Sequence, residues 1–164
     1  MNKHFSKTTW MTILSVLLFI FIGCSDDSNE PENPLSSNVA YLNWGAPKSE
    51  VMNYMKNYEM NIMDNDFICY IGRNNVQTIS YQFQDNGLQA SLILIPQDKI
   101  TTSELQSSFS KYEYLGEKNG LNIYISETTN TLATIAQKVK GETTYYAIGY
   151  TILNIETGES LNNH

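Results

Sequence analysis

Histidine is nearly absent from this sequence. Of the 2 histidines, His4 lies near the start and His164 is the last residue. Without histidine in between, Ser/His and Cys/His nucleophile pairs and most zinc and iron sites are excluded. The glycine-rich phosphate loops GxxxxGK and GxGxxG are missing as well. We therefore predict a protein that is not an enzyme and that uses no cofactor and no metal ion.

Basic side chains are also scarce. The net charge is −7, with 17 acidic and 10 basic residues, and Arg73 is the one arginine. Removing an N-terminal leader that contains Lys3 and Lys7 leaves 8 basic residues against 17 acidic ones, a charge of −9. A nucleic-acid-binding protein needs a basic surface to replace the counterions of phosphates. We therefore predict no nucleic-acid partner.

The sequence has 2 cysteines, Cys24 and Cys69. If Cys24 carries lipid on its sulfur, Cys69 has no partner for a disulfide within the chain. Cys69 stands in the apolar run of residues 67–71, with no local cation that would activate a thiol. We predict that it is a buried small hydrophobic residue.

The first 23 residues have the pattern of an export signal. A basic start is followed by the apolar run Met11–Ile22, whose 12 residues are too few for a membrane-spanning helix of about 20. Phe21-Ile22-Gly23-Cys24 then resembles the lipobox of bacterial lipoproteins, with Phe21 where that family prefers leucine. The resemblance implies cleavage after Gly23, lipid on Cys24 and attachment to the outer membrane. An uncleaved membrane anchor is the alternative.

Residues 24–36 are predicted to be a flexible acidic tether that follows the lipid. The stretch Ser25–Pro34 is acidic, contains proline and lacks periodic apolar residues. Cys24-Ser25-Asp26-Asp27 also resembles the surface-export signal of small Bacteroidota outer-membrane lipoproteins, which implies exposure on the cell surface. A plain spacer is the alternative. Residues 37–164 form the single predicted domain.

The predicted domain contains an internal repeat. A shift of 54 residues aligns Ser49-Glu50-Val51 with Ser103-Glu104-Leu105 and Tyr70-Ile71 with Tyr124-Ile125, without a gap. It also aligns Gly87 with Gly141. We interpret the two units, at about residues 42–96 and 97–153, as the products of a duplication.

Each repeat is predicted to have one helix and then three strands. Val51, Met55 and Tyr58 give one helix an apolar face at i, i+4 and i+7, and Leu105, Phe109 and Tyr112 do so in the other. Pro47 suits a first helical position, and Thr101 with Glu104 predicts a capping box. The strand predictions are 67–71, 78–83, 88–95, 121–126, 132–139 and 145–153, with turns at 85–87 and 140–142.

These elements predict an α+β fold, an antiparallel sheet of about six strands with both helices on one face and the other face open. The doubly apolar strand 92–95 is predicted to lie in the middle. This tandem αβββ layout resembles the β-lactamase-inhibitor-protein fold. Trp44-Gly45 followed by Ser49-Glu50-Val51 also resembles small envelope lipoproteins related to outer-membrane assembly factors.

Tyrosine is the candidate recognition residue, with 11 copies. Tyr70, Tyr124, Tyr146 and Tyr150 are predicted to form a binding face on the open side of the sheet, because tyrosine combines a flat apolar ring with a polar tip. Core and boundary positions are the alternative. The leading hypothesis is a non-catalytic binding module for an unknown protein or glycan.

Two other hypotheses stay open. One is an accessory subunit of an outer-membrane complex that faces the periplasm. The other is a small hydrolase that uses two carboxylates; its candidate acids are Glu50, Glu59, Asp64, Asp66, Asp85 and Glu127. Asp64-Asn65-Asp66 also has oxygen ligands of the kind that calcium takes, but the rest of a calcium loop does not follow it, so we predict a polar turn.

Overall fold

The computed structural model describes Leu35 and residues 40–153. The leader, Cys24 and all of the tether except Leu35 lie outside the described residues, and their assignments remain predictions. The described chain has two α-helices, one short 3-10 helix and eight strands. The helices are α1 (Lys48–Tyr54) and α2 (Thr102–Ser108), and Gln97–Lys99 is the 3-10 helix. The strands are β1 (Met60–Met63), β2 (Phe67–Ile71), β3 (Thr78–Gln84), β4 (Gly87–Pro96), β5 (Glu113–Lys118), β6 (Leu121–Ser126), β7 (Thr131–Lys140) and β8 (Thr143–Ile152).

The strands form one open antiparallel sheet in the order β1-β2-β3-β4-β8-β7-β6-β5. The six predicted strands are confirmed, but the sheet has eight strands because β1 and β5 were not predicted. Both are edge strands with mostly exposed residues, and each has a register shift, between Met60 and Ile62 and between Tyr114 and Gly116. A short, irregular edge strand buries no complete face, so it shows no alternating pattern in the sequence.

The centre of the sheet relates the two halves of the chain. Strand β4 lies between β3 and β8, as its doubly apolar sequence predicts. Ile93 pairs with Ile148 and Leu94 pairs with Ala147. Since 93 and 94 lie 54 positions before 147 and 148, the repeat shift exchanges these two pairs. The β4–β8 junction therefore has local two-fold pseudosymmetry, and each half has the order α-β-β-β-β.

Both helices cover the same face of the sheet. Val51 and Met55 at α1 and Leu105 and Phe109 at α2 belong to one hydrophobic core. Tyr58 and Tyr112 lie in the turns that follow the seven-residue helices, so the helices are shorter than the apolar spacing predicts. The strands contribute alternate residues to this core: Ile68, Tyr70, Ile79, Tyr81, Phe83, Leu88, Ile93, Ile95, Ala133, Ile135, Tyr146 and Ile148.

The opposite face is not the open polar face that we predicted. In the second half of the chain it has its own cluster of buried side chains, centred on β6 with Leu121, Ile123 and Ile125 at 7%, 7% and 1% exposure. The cluster also includes Leu92, Leu132, Ala136, Ala147 and Leu153. Tyr124 points to the α2 side, because its ring centroid lies 4.8 Å from that of Phe109. The largest apolar side chains of β6 therefore face away from the helix.

Turns and caps follow the local sequence closely. Asp85 and Asn86 have positive φ angles of 52° and 63°, as a tight hairpin turn requires. Pro47 precedes α1 as its N-cap and gives no side-chain hydrogen bond. Thr101 and Glu104 form the predicted capping box of α2, with Glu104 N–H donating to Thr101 Oγ1 at 3.2 Å and Thr101 N–H donating to Glu104 Oε2 at 2.8 Å.

Replacing Thr101 by alanine should lower the free energy of unfolding by about 1 kcal/mol at neutral pH. Hydrogen bonds from Thr101 lower the pKa of Glu104, so this contribution should fade as the pH falls through the folded-state pKa of that carboxyl. Urea unfolding of T101A at several pH values checks this, with the exposed neighbour T102A as control. Equal losses in both variants would contradict the capping role.

Candidate functional site

The four predicted binding-face tyrosines lie on the helix-covered side of the sheet. Tyr70 and Tyr146 are buried, with exposures of 2% and 8%, and Tyr124 and Tyr150 are half-buried against the same core. The Tyr70 hydroxyl is buried without a hydrogen-bond partner, and burial raises its pKa. The prediction of an aromatic patch on the open face is therefore wrong, because these positions share the parity of the core residues Ile79, Ile93 and Ile148.

Tyr124 and Tyr150 instead belong to an aromatic cluster around Phe109, which we call the Phe109 cluster. The Phe109 ring centroid lies 5.4 Å from Tyr112, 4.8 Å from Tyr124 and 6.2 Å from Tyr150, with the Tyr150 ring nearly parallel at 14°. Tyr124 also contacts Tyr114 of the edge strand β5, at 5.0 Å. Because Tyr114 is 53% exposed, the cluster extends from the core to the surface.

A cavity of about 330 Å³ lies beside this cluster, at the C-terminal end of α2. Its apolar wall comes from Leu35, Ala40 and Leu42, and its aromatic wall comes from Tyr112 and Tyr150. The remaining lining residues carry hydroxyl or ammonium groups: Ser107, Ser108, Ser110 and Lys111. Ligand pockets in proteins begin at about 300 Å³, so this volume suits a small ligand or one end of a larger one.

The polar lining groups are arranged to bind neutral, hydrogen-bonding molecules. The hydroxyls of Ser107 and Ser108 each donate to the Glu104 carbonyl oxygen at 2.9 Å, which leaves their oxygen lone pairs as acceptors. Burial, and to a lesser extent the neighbouring Tyr112, raises the pKa of Tyr150, so its hydroxyl stays protonated. Lys111 is the one charged residue in this lining.

The candidate carboxylates are spread over several elements. All six are exposed: Glu50, Glu59, Asp64, Asp66, Asp85 and Glu127. Glu50 is held by the Tyr41 hydroxyl, which donates to Oε1, and by Asn43 Nδ2 at 3.1 Å, and these hydrogen bonds lower its pKa. Because none of the six lines the cavity, the structure offers the hydrolase hypothesis no pair of acids in that cavity.

The turn at Asp64-Asn65-Asp66 already binds a cation that the protein supplies. Lys48 Nζ donates to the carbonyl oxygens of Asp64 and Asn65 at 2.5 and 2.6 Å. Its ammonium group thus occupies the position where these oxygens would bind a metal ion. The prediction of a polar turn is confirmed. In the described part of the chain, no group of three or more His, Cys, Asp or Glu residues is placed to hold a metal ion.

Cys69 is a free, buried thiol with 4% exposure, as predicted. It lies on the sheet face away from the helices, since its strand neighbours Ile68 and Tyr70 belong to the helix-covered core. The structure gives it no cation that would favour the thiolate among the contacts described for it, only a 3.8 Å approach to the Tyr70 carbonyl oxygen. Its role is therefore that of a small core residue.

Comparisons with protein families, with curated proteins and with solved structures find no match. Among the described residues, no helix is both long and apolar enough to cross a membrane.

The sequence analysis missed most of the cavity residues. The signal that could have found them is the stretch Ser107–Tyr112, where Phe109 and Tyr112 are interleaved with Ser107, Ser108, Ser110 and Lys111. In this stretch apolar rings anchor the segment to the sheet while small hydroxyl side chains leave space beside them. The other wall cannot be predicted locally, because Leu35, Ala40 and Tyr150 are far from it in the sequence.

Proposed function

We propose that this protein is a non-catalytic envelope lipoprotein that binds a glycan in the cavity at the end of α2. The observation that carries the proposal is the composition of the cavity wall, in which two tyrosines and three serines surround a space of about 330 Å³. Tyrosine rings offer flat apolar surfaces to the C–H faces of a sugar, and hydroxyl oxygens accept hydrogen bonds from its hydroxyls. One or two sugar units match this size.

A whole protein surface fits the cavity less well. A stable protein interface buries about 800 Å² on each partner, which is more area than a cavity this small presents. The predicted use of an open sheet face is also weakened, since the tyrosines that suggested it are on the helix side. A glycan is therefore the preferred ligand, and a protein partner remains the second candidate.

Leu35 connects the proposed site to the proposed anchor. It lines the cavity, is 8% exposed, and lies 11 residues after Cys24. At about 3.5 Å for each fully extended residue, a lipid on Cys24 would keep the cavity wall within about 38 Å of the membrane surface. This short reach suits a ligand of the envelope itself or one held close to the cell surface.

A glycan array probed with the full-length protein in nonionic detergent tests the ligand class. S110W should fill the cavity and weaken binding at least tenfold, because an indole would occupy the space of the ligand. S103W adds the same side chain to an exposed position of α2 outside the cavity lining and should bind as the parent does. Equal binding by both variants would place the site elsewhere, and a blank array would rule out the glycan class.

Attachment and exposure are tested in cells. Palmitate labelling should disappear in Cys24→Ala if that residue carries the lipid. Proteinase digestion of intact cells should remove the domain if it faces outward. Protection until lysis would favour the accessory-subunit hypothesis, in which the domain faces the periplasm.

The tandem organisation supports an origin by duplication. The shift of 54 residues maps α1 onto α2 and maps the pair Phe67–Gln82 onto the pair Leu121–Ala136. The two halves differ at the hairpins, where the second turn falls at 141–142 rather than at 139–140, the positions equivalent to 85–86. We propose that the halves diverged after duplication and that the cavity belongs to the second one.

A further inference from the structure

A second cluster of polar and aromatic side chains lies on α1, in the first half of the chain. Glu50 and Tyr54 are at i and i+4, on one face of the helix. Tyr41 packs on Tyr54 with ring centroids 4.9 Å apart and the planes tilted by 49°. The Tyr41 hydroxyl and Asn43 Nδ2 both donate to Oε1 of Glu50. We call these four residues the Glu50 cluster.

The equivalent glutamate in the second repeat has a different role. Glu104 closes the capping box of α2 by accepting hydrogen bonds from Thr101. In the first repeat the N-cap is Pro47, which has neither a side-chain hydroxyl nor an N–H group to offer. Glu50 therefore cannot form a capping box, and its carboxylate is held by Tyr41 and Asn43 instead. Helix capping thus explains Glu104 but leaves the arrangement around Glu50 unexplained.

The Glu50 cluster presents negative charge and aromatic surface to solvent. Glu50 is exposed, and Tyr54 is 45% exposed although it is a large aromatic residue. Both described hydrogen bonds to Glu50 go to Oε1, so Oε2 accepts none. In the described part of the chain, no lysine or arginine forms an ion pair with Glu50. Hydrogen bonds from Tyr41 and Asn43 lower the pKa of Glu50, so it is ionised at neutral pH.

We infer that the Glu50 cluster binds an organic cation, the guanidinium or alkylammonium group of a basic side chain or small molecule. The cation would pair with Oε2 of Glu50 and lie against the tilted rings of Tyr41 and Tyr54. A carboxylate beside an aromatic face combines ion pairing with cation–π attraction, and the charge is held in place beforehand by two donors. The protein already uses this chemistry internally, since the Arg73 guanidinium lies 4.6 Å from the centroid of the Tyr58 ring.

The test is an NMR titration of the full-length, ¹⁵N-labelled protein in nonionic detergent with N-acetyl-arginine amide. N-acetyl-citrulline amide has nearly the same shape without the charge and is the control ligand. The arginine derivative should shift the amide signals of Glu50 and Tyr54 at millimolar concentration. The citrulline derivative should bind at least tenfold more weakly.

Two variants separate this site from general attraction to an acidic protein. Glu50→Gln keeps an oxygen acceptor but removes the charge and should weaken binding by roughly tenfold, whereas Tyr54→Leu should weaken it by roughly threefold. Glu59→Gln makes the same change of charge at a nearby exposed position and should have no effect. Equal weakening by Glu50→Gln and Glu59→Gln, or equal binding of both ligands, would overturn the inference. The proposed glycan cavity does not enter this test, so either proposal can fail alone.

Discussion

Replacing Gly72 by alanine should lower the free energy of unfolding by about 3 kcal/mol, the upper end of what overpacking costs. A Cβ atom at this position would lie 2.3 Å from the carbonyl oxygen of Val76 and 2.4 Å from its Cγ1. The loop cannot easily move aside, because Gly72 N–H donates to the Gln77 carbonyl and Val76 N–H donates to the Arg73 carbonyl. The methyl group must therefore break one of these bonds or displace β3.

The consequence should reach the end of α1. Arg73, the next residue, lies over the Tyr58 ring and donates to the carbonyl oxygen of Asn57. A displaced loop would remove both contacts and loosen the segment that leads into β1. We expect amide hydrogen exchange at residues 57–60 to accelerate in G72A under native conditions, together with the loss of global stability.

G149A is the matched control for this substitution. A Cβ at Gly149 would meet only the Thr134 hydroxyl oxygen, at 3.0 Å, and that side chain can rotate. We therefore expect a loss below about 1 kcal/mol in urea unfolding, although Gly149 lies in a central strand. If G149A costs as much as G72A, backbone crowding at residues 72–76 is not the reason.

Periodic patterns made most of the fold predictable from the sequence. The alternation of Ile79, Tyr81 and Phe83 with polar residues gives β3 and its buried face, and Asp85-Asn86 gives the turn that follows it. The edge strands β1 and β5 could not be predicted in this way. Their stability comes from pairing with β2 and β6 rather than from a buried face of their own, so the sequence within them is only weakly constrained.

The candidate site was harder to predict, because it depends on which face of the sheet the helices cover. In β6 both parities are consistent with burial, since Leu121, Ile123 and Ile125 alternate with a set that contains Tyr124. The apolar residues suggest the helix side, but Phe109 packs against Tyr124. A local pattern does not contain this information, because it is fixed by the path of the chain from α2 into β5.

Phe109→Ala should have the largest effect of these substitutions, with a loss of about 4 kcal/mol in the free energy of unfolding. Phe109 is 2% exposed and is the ring that Tyr112, Tyr124 and Tyr150 share. Alanine would leave a void beneath the turn after α2 and remove three ring contacts at once. Urea unfolding measures the stability, and near-ultraviolet circular dichroism should show a weaker tyrosine signal as the Phe109 cluster loosens.

Phe109→Met is the informative companion, because methionine is the residue at the equivalent position, Met55, of the first repeat. Met55 is fully buried, and the Tyr81 hydroxyl lies 3.3 Å from its sulfur, so this location accepts a thioether next to tyrosine. We expect a loss below about 1.5 kcal/mol from this volume-conserving change. Because methionine cannot stack on Tyr150, ligand binding in the cavity should weaken more than stability does. A variant that kept full binding would show that the Tyr150 ring is positioned by the sheet alone, and the role of Phe109 would then be limited to filling the core.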